Sequence, residues 1–296
     1  MGWNIGPLYV GTDFSAEADR AVERAARLAR EHRQPLHVLH ALEEGDWLSR
    51  VERLTHGQFS IELLRKAAGA RLARLRGRLV ADGVADVSCE IVEGPLHKVL
   101  PMIAGERDCG VFAMGARGEG SLRESLLGST ADRVSRSGSL PVLLCRNEVR
   151  PWRRVALATD FSEASRQAAR LGLRLAPEAS HYLLHACELP LVSHLAFANA
   201  SAETREAYHR EAWQEAGRQI LDFASELGPA GASITRAPRE GPPAAVLSAF
   251  VLEADIDLVV LGVRPRARWE ANLLGSTAFF ASHRLACDVL LVPQGE

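Results

Sequence analysis

The sequence predicts an α/β protein made of two similar domains, each a doubly wound, five-stranded parallel sheet with helices on both faces. Three observations predict it. At 296 residues the chain sits at the upper edge of what one hydrophobic core serves, so two domains are expected. It repeats itself at a nearly constant offset. Within each repeat, short apolar runs alternate with amphipathic stretches, the pattern of a parallel sheet covered on both sides.

The repeat is read from scattered anchors. Thr12-Asp13-Phe14-Ser15 returns as Thr159-Asp160-Phe161-Ser162, an offset of 147. Glu93-Gly94-Pro95 returns as Glu240-Gly241-Pro242, and Leu126-Leu127-Gly128-Ser129-Thr130-Ala131 as Leu273-Leu274-Gly275-Ser276-Thr277-Ala278, at the same offset. His40-Ala41 matches His185-Ala186 at 145, so a two-residue loop difference opens and later closes. One register held over such distances marks a duplication. The domains are expected at 1–147 and 152–296, joined by a polar segment, Asn147–Trp152, too short to let them drift apart.

Each element of the first copy follows from pattern and turn chemistry. Gly6–Asp13 is an apolar run ending in turn residues and reads as a buried strand. Ser15 is the N-cap of a helix whose inward face is Ala18, Val22, Ala25 and Ala29. Its outward face carries Glu17, Asp19, Arg20, Glu23, Arg24 and Arg27. Pro35–Leu42 is a second strand, and Ile61, Leu64, Ala68, Leu72, Leu75 and Leu79 mark a long helix by steps of three and four. Val87–Glu93, Cys109–Gly115 and Leu140–Arg146 are strands, Leu96–Gly105 and Ser129–Ser137 helices, and Gly115–Gly128 a glycine-rich loop. The second copy repeats the order from Arg153 to Pro293.

Composition bounds the function. With 47% apolar and 24% charged residues the chain has the balance of a soluble globular protein, and a net charge of −2 gives no footprint for nucleic acid or membrane. Arginine replaces lysine everywhere but at Lys66 and Lys98, which reads as a codon-usage habit. The five cysteines lie far apart with no CxxC pair, mostly in apolar runs, as expected of free thiols in a reducing compartment. Residues 1–6 carry neither a leader nor a myristoylation pattern, and no apolar stretch reaches the length of a membrane span. A cytoplasmic location is expected.

Sheets of this kind bind ligands beyond the carboxyl ends of their strands, where the strand order reverses. Asp13 follows the first strand there, and Gly115 ends the fourth. From Gly115 the chain reads Gly115-Ala-Arg117-Gly118, nine residues, then Gly128-Ser129. Gly115 and Gly118 permit backbone approaches that a Cβ blocks. Gly128 and Ser129 open a helix whose bare N–H groups and dipole favour a phosphate, Ser129 and Thr130 add hydroxyls, and Arg117 adds a cation. Asp13 is placed to accept hydrogen bonds from a ribose or a base.

This Gly-x2-Gly-x9-Gly-Ser loop after a fourth strand, with an Asp closing the first, resembles the ATP-binding signature of universal stress proteins. The resemblance covers essentially the whole chain, twice over, and includes the Thr-Asp-Phe-Ser opening and the Pro-Val-Leu-Leu strand that closes the first copy. It implies a nucleotide-binding, α/β hydrolase-like fold of the universal stress protein type. It also implies an adenosine held by Thr12, Asp13, His40 and Ala41. The phosphates would then lie against Met114, Gly115, Arg117, Gly118, Gly128, Ser129 and Thr130. ATP or another adenine nucleotide, accompanied by magnesium or manganese, is the implied ligand.

The second copy departs from the pattern. Gly262 and Gly275-Ser276 are kept, but Pro265 replaces the middle glycine, removing an N–H donor and fixing φ. Arg264, Arg266 and Arg268 crowd the same loop. Binding is expected in the first copy and little or none in the second.

Plainer readings stand beside these. Asp13 is equally a turn residue beside a helix start, His40 and His185 are structural histidines, and Gly128-Ser129 is a small cap that any helix start needs. Arg65, Lys66, Arg71, Arg74, Arg76 and Arg78 on the long helix read as a solvated face; the second copy carries Glu206, Glu211, Glu215, Asp222 and Glu226 there. No Walker A lysine, Gly-x-Gly-x-x-Gly after the first strand, Gly-x-Ser-x-Gly elbow, HExxH or Cys/His cluster is present, so no catalytic constellation is expected. The first hypothesis is a nucleotide-binding stress protein with little or no catalysis. Its rivals are a dimeric scaffold that binds no nucleotide and a slow ATPase. Bare apolar strands at Leu140–Arg146 and Cys287–Pro293 predict pairing of the two copies as an intrachain pseudo-dimer, with a homodimer of chains also open.

Overall fold

The computed structural model describes residues 3, 5–43, 54, 60–107, 109–117, 127–189, 201–264 and 274–295. Of these, Trp3–Val149 form one compact unit and 150–264 with 274–295 the other.

In the first copy the order is β1 (Leu8–Gly11), α1 (Ala16–His32), β2 (Leu36–Leu42), α2 (Ile61–Ala81), β3 (Val87–Glu93), α3 (Leu96–Glu106), β4 (Val111–Gly115), α4 (Ser129–Ser137) and β5 (Val142–Cys145). The second copy runs β6 (Arg154–Thr159), α5 (Glu163–Leu175), β7 (Ser180–Cys187), α6 (Ala202–Glu226), α7 (Pro229–Ala232), β8 (Thr235–Glu240), α8 (Pro243–Glu253), β9 (Leu258–Val263), α9 (Ser276–Arg284) and β10 (Asp288–Pro293).

Every strand pair within a copy is parallel. The first copy is ordered β3-β2-β1-β4-β5 and the second β8-β7-β6-β9-β10. The order therefore reverses between β1 and β4, and between β6 and β9. Central strands are apolar on both faces: Leu8, Tyr9, Val10, Val111 and Phe112 are all buried, as a sheet covered on two sides requires.

Helix starts follow a common rule. Ser15, Ser60, Ser162 and Ser201 are N-caps whose hydroxyls accept the N–H of the residue three further on, at 3.1–3.4 Å. Each satisfies one of the bare first-turn donors. On α1 the stripe Ala18, Val22, Ala25 and Ala29 is buried as expected, but Arg24 departs from the solvated face assigned to it. It is 1% exposed and donates from Nη2 to the Glu148 carbonyl at 3.2 Å. Helical periodicity alone cannot show that the chain leaving β5 passes over this face. The six basic residues of α2 do lie on its exposed side, while Ala68, Leu72, Leu75 and Leu79 are buried.

The five cysteines are free thiols, and all but Cys89 are buried. No helix among the described residues is long and apolar enough to cross a membrane.

Two histidines give the fold an acid sensitivity. His37 stacks on Tyr9 with centroids 4.5 Å apart and its Nδ1 lies 2.5 Å from Ser88 Oγ; His181 is the second residue of β7. Burial pushes both below the ordinary value of 6.5. The unfolded chain then takes up protons that the folded chain resists. Stability is present in full above 6.5 and is lost as pH falls through the lowered folded values. Urea unfolding at pH 8, 6 and 5 is expected to show a falling midpoint. A variant carrying His37→Gln and His181→Gln is expected to lose less over the same range; an equal loss would assign the effect to the carboxylates.

Candidate functional site

β1 stops at Gly11, so Thr12 and Asp13 lie just beyond the strand rather than in it. Thr12 stays tied to the sheet: its N–H donates to the Leu39 carbonyl at 2.9 Å, and its own carbonyl accepts from His40 Nδ1 at 2.8 Å. A carbonyl only accepts, so Nδ1 carries the proton and Nε2 remains as the other imidazole nitrogen.

The chain then turns sharply into α1. Thr12 Oγ1 accepts the Phe14 N–H at 3.0 Å, Asp13 Oδ1 accepts the Ser15 N–H at 3.0 Å, and Ser15 caps the helix. Phe14 is driven to φ +63°, an uncommon position for a bulky side chain. Such strain persists where neighbouring contacts over-determine it. Here they are the Thr12 hydroxyl below and the His40 ring, whose centroid lies 4.7 Å from that of Phe14.

Across the reversal, β4 ends at Gly115. A Cβ there would lie 3.0 Å from the Glu17 backbone, so this glycine lets the first turn of α1 press onto the strand end. The close approach anticipated from the sequence is real, but the approaching group is the protein's own helix. Beyond it the Ala116 N–H donates to the Cys145 carbonyl at 3.2 Å, and the Gly128 N–H donates to the Ala116 carbonyl at 2.8 Å. The start of α4 is thereby fastened to the end of β4. Gly128 is the N-cap and contributes no side-chain bond to the first turn, where Ser129 and Thr130 are exposed.

The fold thus gathers Thr12, Asp13, His40 and Ala41 at the ends of β1 and β2. Gly115, Arg117, Gly128, Ser129 and Thr130 gather at the end of β4 and the start of α4. Met114 is buried within β4, and its side chain belongs to the core. Gly118 lies outside the described residues, as do Pro265, Arg266 and Arg268.

The second copy rebuilds the same turn. Phe161 sits at φ +62°, Thr159 Oγ1 accepts its N–H at 2.9 Å, and His185 Nδ1 donates to the Thr159 carbonyl at 3.0 Å. Asp160 Oδ1 accepts the Ser162 N–H at 3.1 Å and hydroxyl at 2.5 Å, and its Oδ2 accepts Arg264 Nη2 at 2.6 Å. Burial raises this carboxyl, yet the Ser162 bonds and the Arg264 guanidinium outweigh it, and the net shift is downward. A difference between the copies lies over the strained ring. Phe161 meets the edge of Phe223 with centroids 6.0 Å apart, whereas Phe14 lies under the Arg71 guanidinium at 5.3 Å.

A family model described as the universal stress protein family matches residues 5–146 and again 151–293. The chain belongs to the universal stress protein family. A universal stress protein of Methanocaldococcus jannaschii is 28% identical over 151 residues, covering 50% of this chain and 86% of that protein. Among solved structures, a universal stress protein from Archaeoglobus fulgidus DSM 4304 is similar at a TM-score of 0.70 and 17% identity, covering 99% of this chain and 100% of that one. A functionally unknown protein from Pseudomonas aeruginosa PAO1 is similar at 0.63 and 20% identity, covering 98% and 92%. At these identities the two structures speak for the fold alone.

Sequence reasoning missed the strained Phe14 and Phe161 and the Arg71 contact. Phenylalanine carries no mark of a left-handed conformation, and the only hint was the exact return of Thr-Asp-Phe-Ser. Among the described residues, no three His, Cys, Asp or Glu side chains converge on a metal position.

Proposed function

We propose that the first copy binds ATP or another adenine nucleotide and that its occupancy, rather than catalysis, is what this stress-response protein communicates. The observation that carries this reading is the junction at the β1–β4 reversal. There a carboxylate (Asp13), a cation (Arg117) and the hydroxyl-bearing first turn of α4 stand at the place where doubly wound sheets take ligands. Family membership supports it. The nucleoside would lie toward Asp13, His40 and Ala41, and the phosphates toward the start of α4, with magnesium or manganese bound through phosphate oxygens.

The second copy is the weaker site in this reading. Its Asp160 already holds Arg264, and Pro265 withdraws a donor from the loop.

Acid extraction of freshly purified protein, followed by chromatographic identification of released nucleotide, tests this. About one adenine nucleotide per chain is expected. About two per chain would show that Pro265 and Arg264 do not disable the second copy. None, together with failed titration by ATP and magnesium, would leave the scaffold reading. Steady phosphate release that vanishes with site variants would favour the slow ATPase.

A further inference from the structure

Arg71, in the basic row on α2, reaches the candidate site. Its guanidinium lies 5.3 Å from the centroid of the Phe14 ring, on the residue next to Asp13. The side chain is exposed and makes no ion pair among the described residues, unlike Arg65, which holds Glu93 at 2.5 Å. Arg71 therefore rests on an aromatic face with no carboxylate of the described residues to keep it there.

The second copy shows what replaces it. The buried positions of α2, Ala68, Leu72, Leu75 and Leu79, share their spacing with Ala216, Ile220, Phe223 and Leu227 of α6 and its cap. In that register Gln219 stands where Arg71 does, and Phe223 where Leu75 does. Gln219 donates to Glu215 Oε1 at 2.9 Å, away from the strained ring, and the buried Phe223 lies edge-on against Phe161. One copy thus covers its strained phenylalanine with a movable planar cation, the other with a fixed core side chain.

We propose that Arg71 is a base-clamping residue of the first copy. On binding, its guanidinium leaves Phe14 and stacks on the outer face of the purine, so that the copy selects ligands carrying a planar base. This inference rests on the nucleotide reading given above. Its physical ground is that a guanidinium is a weakly hydrated plane that stacks on aromatic faces, whereas an ammonium is a strongly hydrated point charge. Arg71 stands on the β1–β2 side of the crevice, the side of the nucleoside and not of the phosphates.

Calorimetric titration of the full chain with adenosine, ATP and inorganic triphosphate, each with magnesium, tests the clamp in wild type, Arg71→Gln and Arg71→Lys. Both variants are expected to bind adenosine and ATP about tenfold more weakly, while triphosphate binding is unchanged. The thermal midpoint should not move, since Arg71 is exposed. If Arg71→Lys keeps wild-type affinity while Arg71→Gln loses it, charge and not the plane is being used, and the clamp is wrong. Equal affinities in all three proteins also overturn it while leaving the nucleotide reading intact. A wild-type chain that takes up neither adenosine nor ATP sinks both.

Discussion

Gly262→Ala is expected to destabilise the second copy by about 3 kcal/mol or more, the upper range for forcing atoms into a packed interior. A Cβ at this position would lie 2.4 Å from the Ala164 carbonyl carbon and the Ser165 nitrogen and 2.6 Å from the Ala164 oxygen. All three are backbone atoms in the first turn of α5, so no side chain can swing aside. Either β9 or the helix start must shift, and β9 is held by its ladders to β6 and β10 while Ala164 and Ser165 are buried. Gly115→Ala probes the equivalent joint of the first copy, where the nearest backbone atoms lie 3.0 Å away. Its cost should be about 1 kcal/mol, since a displacement of a few tenths of an ångström relieves it. Urea unfolding monitored by circular dichroism compares the two. Equal losses would mean that the tighter joint has a route of relaxation the geometry does not suggest.

The second large effect concerns the ligand. On the proposed nucleotide reading, Gly118→Pro is expected to reduce extracted nucleotide from about one per chain to none, because proline removes an N–H donor and fixes φ in the loop which that reading assigns to the phosphates. The substitution copies what the second repeat already carries at Pro265. It should leave the thermal midpoint of the ligand-free chain close to wild type. It should also abolish the rise in midpoint expected of the parent protein on adding ATP, since a ligand stabilises only the state that binds it. Undiminished nucleotide in the variant would move the phosphate site off this loop. Asp160→Ala in the second copy serves as a control that should leave the nucleotide count unchanged.

The sequence by itself determined the duplication, the family and the order of elements, apart from the short α7 that the second copy inserts before β8. These rest on local chemistry: alternating apolar runs and serine caps that return in both copies, and the spacing of Gly115, Gly118, Gly128 and Ser129 in the first. Val87–Glu93 and Ser129–Ser137 could be bounded to the residue because each is flanked by turn or cap chemistry. The first strand could not. Apolar character continues through Thr12, but the ladder stops where the Thr12 hydroxyl and Asp13 carboxylate capture the next two N–H groups.

Only the tertiary structure decided which neighbour explains each residue. It buried Arg24 beneath the chain leaving β5, and set Gly115 against the first turn of α1. It placed Arg264 on Asp160 and Arg71 on Phe14. Each of these pairs joins residues from separate elements, the farthest more than a hundred positions apart in the chain. Propensity and periodicity act over a turn or a strand and carry no information about which distant surface will arrive. Contacts across elements are set by the packing of helices on the sheet, and it is those contacts that distinguish the two copies of this repeat.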